Sequence, residues 1–338
     1  MSMQFTTRIP ARTFGFESDK TVLGFLAHTV ARPKMARTVP VDPDHVFDVR
    51  FFERLRLWWE WHDTRSPLFI SGPSGCGKTS TVMQFLARVN APVISITCRR
   101  RMDKSDFIGQ WGMQEGKFQW FDGPASVAWR YGCVLVINEF SLAPPEIWVA
   151  LNDLFEGDAL TNARRGEVIP RHPNARIIIT DNIRCCDPQS AMAYRDRHVQ
   201  DPSSAERFWH LTADWIDADA EKRLLTRRAL AVRATPDFDV APWVEAATAL
   251  AAHTRSAEGV RIAGNRRVPA LSTRVLIRLV EIIVRTLSEG SPCKDVLKDA
   301  LDLAIAQALS VDAAAALQEM AHFDFASAAA NASKKRSR

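Results

Sequence analysis

The residues best suited to chemistry stand in one run, Gly72-Pro73-Ser74-Gly75-Cys76-Gly77-Lys78-Thr79-Ser80. Positions 72–79 fill every fixed place of the pattern G-x-x-x-x-G-K-[ST], the P-loop. Each residue type has a task there. Glycines, having no Cβ, let the backbone turn its N–H groups inward around a phosphate. The ammonium of Lys78 reaches the β- and γ-phosphates of a nucleoside triphosphate, and the hydroxyl of Thr79 takes a coordination position on Mg²⁺.

The elements that must position this loop are legible on both sides of it. Pro67-Leu68-Phe69-Ile70-Ser71 is a short apolar run suited to a buried strand, and Ser80 to Arg88 carries apolar residues at helical spacing. A helix starting there adds its N-terminal donors and positive dipole end to the anion site. Ala91–Thr97, Cys133–Ile137 and Arg176–Thr180 are further strand candidates, the last two apolar enough to be buried on both faces. Helices are expected at Val46–Asp63, from Pro124, and at Pro145–Glu156. Trp58, Trp59 and Trp61 in the first of these are expected to pack on the core. Hairpins are expected over 110–123 and over Leu160–Ile169, the second turning near Arg164-Arg165-Gly166. Strands alternating with helices from 67 to 215 imply an α/β fold with a parallel sheet flanked by helices. From about 240 onward, segments near 242–256, 271–288 and 293–322 are Ala-, Leu- and Ile-rich at helical spacing with no strand candidates, as in a small all-helical domain. The expected organisation is an extended or partly helical N-terminal arm (1–44), an α/β nucleotide-binding domain (45–236), a helical domain (237–325) and a disordered basic tail (326–338).

Composition narrows the class. With 338 residues, 46% hydrophobic and 25% charged, the chain suits a soluble globular protein. No apolar run approaches the roughly 18 residues of a membrane span, and the N-terminus has no secretory apolar region. The six cysteines (Cys76, Cys98, Cys133, Cys185, Cys186, Cys293) show no C-x-x-C spacing, so a cytoplasmic location and no structural zinc are expected. Lys334, Lys335, Arg336 and Arg338 supply four of the net +5 charges, leaving about +1 on residues 1–333. Such a tail reads as a solvated end, and a nucleic-acid partner is not expected. The run Arg99-Arg100-Arg101 with Lys104 either lines a channel for an acidic chain or is a solvated loop.

The order of these segments resembles the AAA+ superfamily, and within it the MoxR-type ATPases, nearest the CobS-like branch, over about residues 40–290. The P-loop is its Walker A. The stretch Glu115-Gly116-Lys117-Phe118 through Asp122-Gly123-Pro124-Ala125 resembles the hairpin inserted in helix 2, and Leu160 through Arg176 resembles the pre-sensor hairpin with its exit Arg171-His172-Pro173. Ala205-Glu206-Arg207-Phe208-Trp209 resembles the segment bearing the arginine finger. The resemblance implies a core that binds ATP with Mg²⁺ and a helical lid after it. It gives Glu139 as the Walker B glutamate that polarises the attacking water, and Asn182 as sensor 1. Arg207 becomes a finger acting on the neighbouring subunit's site, and Arg274 becomes sensor 2, although the family's S-P-R is Ser272-Thr273-Arg274 here. Gly72 through Ser80 with Asn138 and Arg274 would hold the nucleotide, Thr79 and Asn138 meeting Mg²⁺ through water. Two departures stand out. The usual Asp-Glu of Walker B is Asn138-Glu139, which keeps an acceptor oxygen and loses a charge, and Asp181 through Pro188 replaces the familiar T-A-N-T stretch.

The function implied is an ATP-driven motor, a homo-oligomeric ring of six subunits that remodels or activates a partner carrying a von Willebrand factor A domain. A cobaltochelatase subunit is its special case. The alternatives are a nucleotide-gated scaffold with little hydrolysis because of Asn138, and a DNA-dependent ATPase resting on the tail and Arg99–Arg101.

Overall fold

The structure, a computed structural model, describes residues 5–61, 65–192, 194, 196–256, 261–262, 266–290 and 293–336, the side chains of 261–262, 266–267, 293–295 and 327–336 excepted. The chain divides into two compact units, Met1–Asp214 and Trp215–Arg338.

The first unit is built on a five-stranded sheet: β1 (Leu68–Ser71), β2 (Val93–Thr97), β3 (Val134–Asn138), β4 (Arg176–Asp181) and β5 (Trp209–Thr212). Their order is β5-β1-β4-β3-β2, and every neighbouring pair is parallel. The reason is in the sequence. Runs such as Val134-Leu135-Val136-Ile137 are apolar on both sides of the pleat, which suits a strand covered on both faces. Alternate residues do go to opposite cores. Phe69, Ile94, Leu135, Ile137, Ile177 and Ile179 join Trp129, Phe140 and Trp148 on one face. Leu68, Ile70, Val93, Val134, Val136 and Ile178 join Trp58, Trp59 and Phe85 on the other.

Among the helices that flank the sheet are α1 (Val49–Glu60), α2 (Lys78–Arg88) and α3 (Pro124–Tyr131). Asp48 caps α1 by accepting from the Phe51 N–H at 2.8 Å, and Trp58 and Trp59 are fully buried. The first hairpin pairs Gly109–Gln114 with Lys117–Asp122, turning at Glu115 and Gly116, both with positive φ (51° and 73°). The second pairs Leu160–Asn162 with Glu167–Ile169.

Several features differ from expectation. The arm expected over 1–44 is, in its described residues from 5 onward, a packed ribbon. Thr7–Pro10 pairs antiparallel with Thr21–Gly24, and Phe14, Val22 and Phe25 are buried in the second core, because their aromatic and branched side chains find Phe52, Trp59 and Phe85 there. The helix expected at Pro145–Glu156 breaks at Leu151 (φ −112°, ψ 21°) into Pro145–Ala150 and Asn152–Glu156. With that break, Trp148 and Phe155 both pack on Phe140.

The second unit contains α4 (Ala218–Val232), α5 (Ala241–Arg255), α6 (Thr273–Ser288), α7 (Cys293–Ala304) and α8 (Val311–Arg336), with a short ribbon of Arg261–Ile262 against Arg266–Arg267. Two further differences are here. The division falls before α4, earlier than Pro236, because Leu225 and Ala229 of α4 are buried with Trp243, Leu250, Leu279 and Ile283. The tail expected to be disordered is taken into α8 as far as Arg336, in keeping with the helix propensity of its alanines. Ser337 and Arg338 lie outside the described residues. Among the described residues, no helix is long and apolar enough to cross a membrane.

Candidate functional site

The register of the parallel strands brings the site together. Thr180 of β4 lies beside Asn138 of β3, and Asp181 beside Ser71 of β1, so three strands end at one level. Residues just past those ends face a common crevice, the usual place for a ligand in an open parallel sheet. The P-loop leaves β1 there. Gly72 packs so closely on the next strand's exit that a Cβ would stand 2.2 Å from the Ala213 carbonyl oxygen. Gly77, with φ 94°, makes the left-handed step into α2, which begins at Lys78.

Lys78 is buried, 8% exposed. Its Nζ donates to the carbonyl oxygens of Gly72 (2.8 Å) and Pro73 (2.7 Å) and to Asn182 Oδ1 (2.9 Å). Burial lowers its pKa, against the pull of the Glu139 and Asp181 carboxylates. Burial in turn raises the pKa of the Cys76 thiol, against the pull of the Lys78 ammonium. The next side chain, Thr79, donates from Oγ1 to Asn138 Oδ1 at 3.1 Å, and Thr180 Oγ1 donates to the same oxygen at 2.9 Å. The amide nitrogen of Asn138 donates to Ser95 Oγ (2.9 Å) and the Ile96 carbonyl (3.4 Å).

Glu139 adopts a left-handed backbone conformation (φ 57°, ψ 43°), uncommon outside glycine, pinned by its N–H bond to the Thr180 carbonyl at 2.8 Å. Its Oε2 accepts from Asn182 Nδ2 at 3.2 Å and from the Arg197 guanidinium. Asn182 thus bridges Lys78 and Glu139. The adjacent Asp181 is buried and accepts from the Ser141 N–H and hydroxyl and from the N–H groups of Asn182 (2.7 Å) and Ile183 (3.1 Å). Its burial raises its pKa, with these donors and Arg197 opposing.

Of the residues singled out in the sequence, Lys78, Thr79, Asn138, Glu139 and Asn182 therefore meet in one network, Lys78–Asn182–Glu139 and Thr79–Asn138 being linked through Thr180, whose hydroxyl donates to Asn138 and whose carbonyl accepts from the Glu139 N–H. Arg207 does not enter it. Its guanidinium donates to Glu156 Oε1 (3.0 Å) and the Ser203 carbonyl (2.7 Å). Arg274 belongs to the second unit, exposed in the first turn of α6, where the Ser272 hydroxyl caps the helix. Thr180, Asp181, Tyr194 and Arg197 were not anticipated. The first two adjoin Asn182 in the chain and were within reach of the sequence, whereas Tyr194 and Arg197 lie in a stretch without periodicity or motif.

The donor set suits a triphosphate with a hard cation. A buried ammonium and an inward-turning glycine loop suit phosphate oxygens, and the Thr79 hydroxyl and Asn138 Oδ1 are the oxygen donors that Mg²⁺ prefers, directly or through water. Among the described residues, no group of three or more His, Cys, Asp or Glu side chains is placed to hold a metal.

Residues 67–197 match the AAA domain of the dynein-related subfamily. The chain is 24% identical over 231 residues to Protein CbbQ of Hydrogenophilus thermoluteolus, covering 68% of this chain and 79% of that protein. It is 28% identical over 182 residues to the gas vesicle ATPase GvpN1 of Halobacterium salinarum, 48% of this chain and 50% of that one. With Protein NorQ of Paracoccus denitrificans the identity is 26% over 165 residues, 48% of this chain and 58% of NorQ. The match thus spans most of CbbQ but only about half the length of GvpN1.

Proposed function

We propose that the chain is a MoxR-type AAA+ ATPase that binds ATP with Mg²⁺ between the subunits of a ring and hydrolyses it to remodel a partner protein. One observation carries the reading: at the ends of β1, β3 and β4, Lys78, Asn182 and Glu139 are bonded in one group and Thr79 and Asn138 in another, and Thr180 links the two. When bound, ATP with Mg²⁺ supplies the electrophilic γ-phosphorus. Lys78 provides the cation for the phosphate oxygens. Thr79 and Asn138 offer oxygens to the ion's coordination shell, and neutral Asn138 holds it more weakly than a carboxylate would. Glu139 accepts a hydrogen bond from the attacking water and draws off its proton, while Asn182 fixes the direction of the Glu139 carboxylate. Arg207, partly exposed and paired with a surface carboxylate, is suited to reach a neighbouring subunit and stabilise charge there, a role worth about 10³–10⁵ in rate in other nucleotide hydrolases.

Two hairpins are suited to grip a client. They expose Met113, Phe118 and Val168, and the Trp111 indole N–H of one reaches the Arg164 carbonyl of the other at 3.4 Å. A partner with a von Willebrand factor A domain, a six-membered ring and the CobS-like placement rest on the sequence resemblance. A cobaltochelatase role has no support beyond that resemblance.

The test is Mg²⁺-dependent ATP hydrolysis by the wild type and by Glu139→Gln across a range of protein concentration. The expected result is a specific rate that rises with concentration in the wild type and falls at least about a hundredfold in the variant, with ATP still bound. Tight ATP binding with no turnover in either protein, partner present, would support the scaffold reading instead.

A further inference from the structure

We propose that Arg197 senses the γ-phosphate in its own subunit: without nucleotide it holds Glu139, and a bound triphosphate takes its guanidinium and frees that carboxylate. The inference rests on the reading of this site as one that binds and hydrolyses ATP. Arg197 has only 9% of its side chain exposed and is in contact with two carboxylates, Glu139 and Asp181, the latter at 3.7 Å. Its second nitrogen donates to Ser141 Oγ at 3.3 Å, and its guanidinium lies 5.8 Å from the Tyr194 ring centre. The phenol oxygen of Tyr194 in turn accepts from the Ser74 N–H of the P-loop at 3.3 Å. Residues 194 and 197 are thereby fastened to both halves of the phosphate site.

The two carboxylates are not equivalent. Asp181 is fully buried, and its oxygens are already occupied by Ser141, Asn182 and Ile183. Glu139 is 36% exposed, and among the described residues its carboxylate is held by Arg197 and Asn182. The bond to Glu139 is therefore the exchangeable one. A carboxylate saturated by a guanidinium is also a poor acceptor for the proton of water. Arg197 connects through Glu139 and Asn182 to Lys78, so the guanidinium stands two side chains from the phosphate-binding lysine. A phosphate offers more charge and more acceptor oxygens to a guanidinium fork than one carboxylate does. A diphosphate, lacking the γ-group, would leave Arg197 on Glu139.

The experiment compares binding of fluorescent ADP and of a fluorescent non-hydrolysable β,γ-imido ATP analogue, both with Mg²⁺, to the full chain and its Arg197→Ala variant. The wild type is expected to favour the triphosphate, and the variant to lose about tenfold or more of that preference while its ADP affinity changes by less than about twofold. Should the alanine variant unfold, Arg197→Gln, which keeps a donor but no charge, carries the same expectation. An unchanged preference, or an equal loss for both nucleotides, would overturn the proposal. Lys78→Ala separates the two levels. If that change affects neither nucleotide, it is the reading of the site itself that fails.

Discussion

At the residue scale, Asn138 is the informative position. In the sequence it reads as a loss, an aspartate stripped of its charge. Its neighbours give it a second aspect. The Oδ1 side meets the hydroxyls of Thr79 and Thr180, which a carboxylate would satisfy equally, but the Nδ2 side meets Ser95 Oγ and the Ile96 carbonyl. A hydroxyl can rotate to donate to an oxygen and a carbonyl cannot. An aspartate in its place would set two acceptors against each other at a position 9% exposed, with the Asp181 and Glu139 carboxylates nearby. Asn138→Asp is therefore expected to destabilise the ligand-free chain by about 1–3 kcal/mol, a penalty that shrinks once ATP and Mg²⁺ give the new charge a cation. Urea denaturation of both proteins, with and without ATP and Mg²⁺, measures this. Equal stability without ligand would show that Ile96 does not demand the amide. Sequence could raise Asn138 but not explain it, because Ser95 and Ile96 reach it only through strand register.

At the scale of elements, four of the five strands were legible: Leu68–Ser71, Val134–Asn138 and Arg176–Asp181 as apolar runs buried throughout, and the edge strand Val93–Thr97 from its alternating Val and Ile residues. The fifth, Trp209–Thr212, lies at the sheet edge with His210 and Thr212 exposed, so its sequence carries no such run. Both hairpins were legible from turn residues between alternating side chains. What else escaped was decided by tertiary packing. The N-terminal ribbon is polar enough to look like an arm, yet Phe14 packs on Phe47, Phe52 and Phe85 at 4.9–5.7 Å between ring centres. Arg88 of α2 secures the same stretch by donating to the Thr13 and Asp42 carbonyls, each at 2.8 Å. His45 lies inside this docking, its ring edge-on to Phe47. Burial, then the nearby Arg88 charge, lower its pKa from 6.5 to about 4, with Asp42 pulling the other way. The sign follows. Between those two values the unfolded chain holds more protons than the folded one, so acidification favours unfolding. Stability is complete above pH 6.5 and falls as pH drops toward 4, by about 3 kcal/mol at most from this group. Urea midpoints across that window should fall less steeply in His45→Gln than in the wild type. Parallel slopes would remove His45 from the account.

At the scale of the whole molecule, the question is whether one chain holds a complete site. Within the first unit, Arg207 points its charge at Glu156, and such a partly exposed ion pair contributes little to stability, typically under about 1 kcal/mol. Its release to a neighbouring subunit is therefore inexpensive, which suits a residue used across an interface. Glu139, by contrast, is built into the crevice of its own chain through Asn182 and Arg197. If each active site takes Glu139 from one subunit and Arg207 from the next, two inactive variants should complement each other. Glu139→Gln alone and Arg207→Ala alone lose hydrolysis at every site. In a ring assembled from equal amounts of both, a site is intact wherever an Arg207→Ala subunit supplies Glu139 and its Glu139→Gln neighbour supplies Arg207. Random mixing makes that about one site in four, so the mixture should recover up to about a quarter of the wild-type rate. Co-purifying the two variants with different tags and measuring ATP hydrolysis against each alone decides the matter. Recovery requires head-to-tail contact between subunits, whereas a mixed assembly no more active than its parts would confine Arg207 to its pair with Glu156.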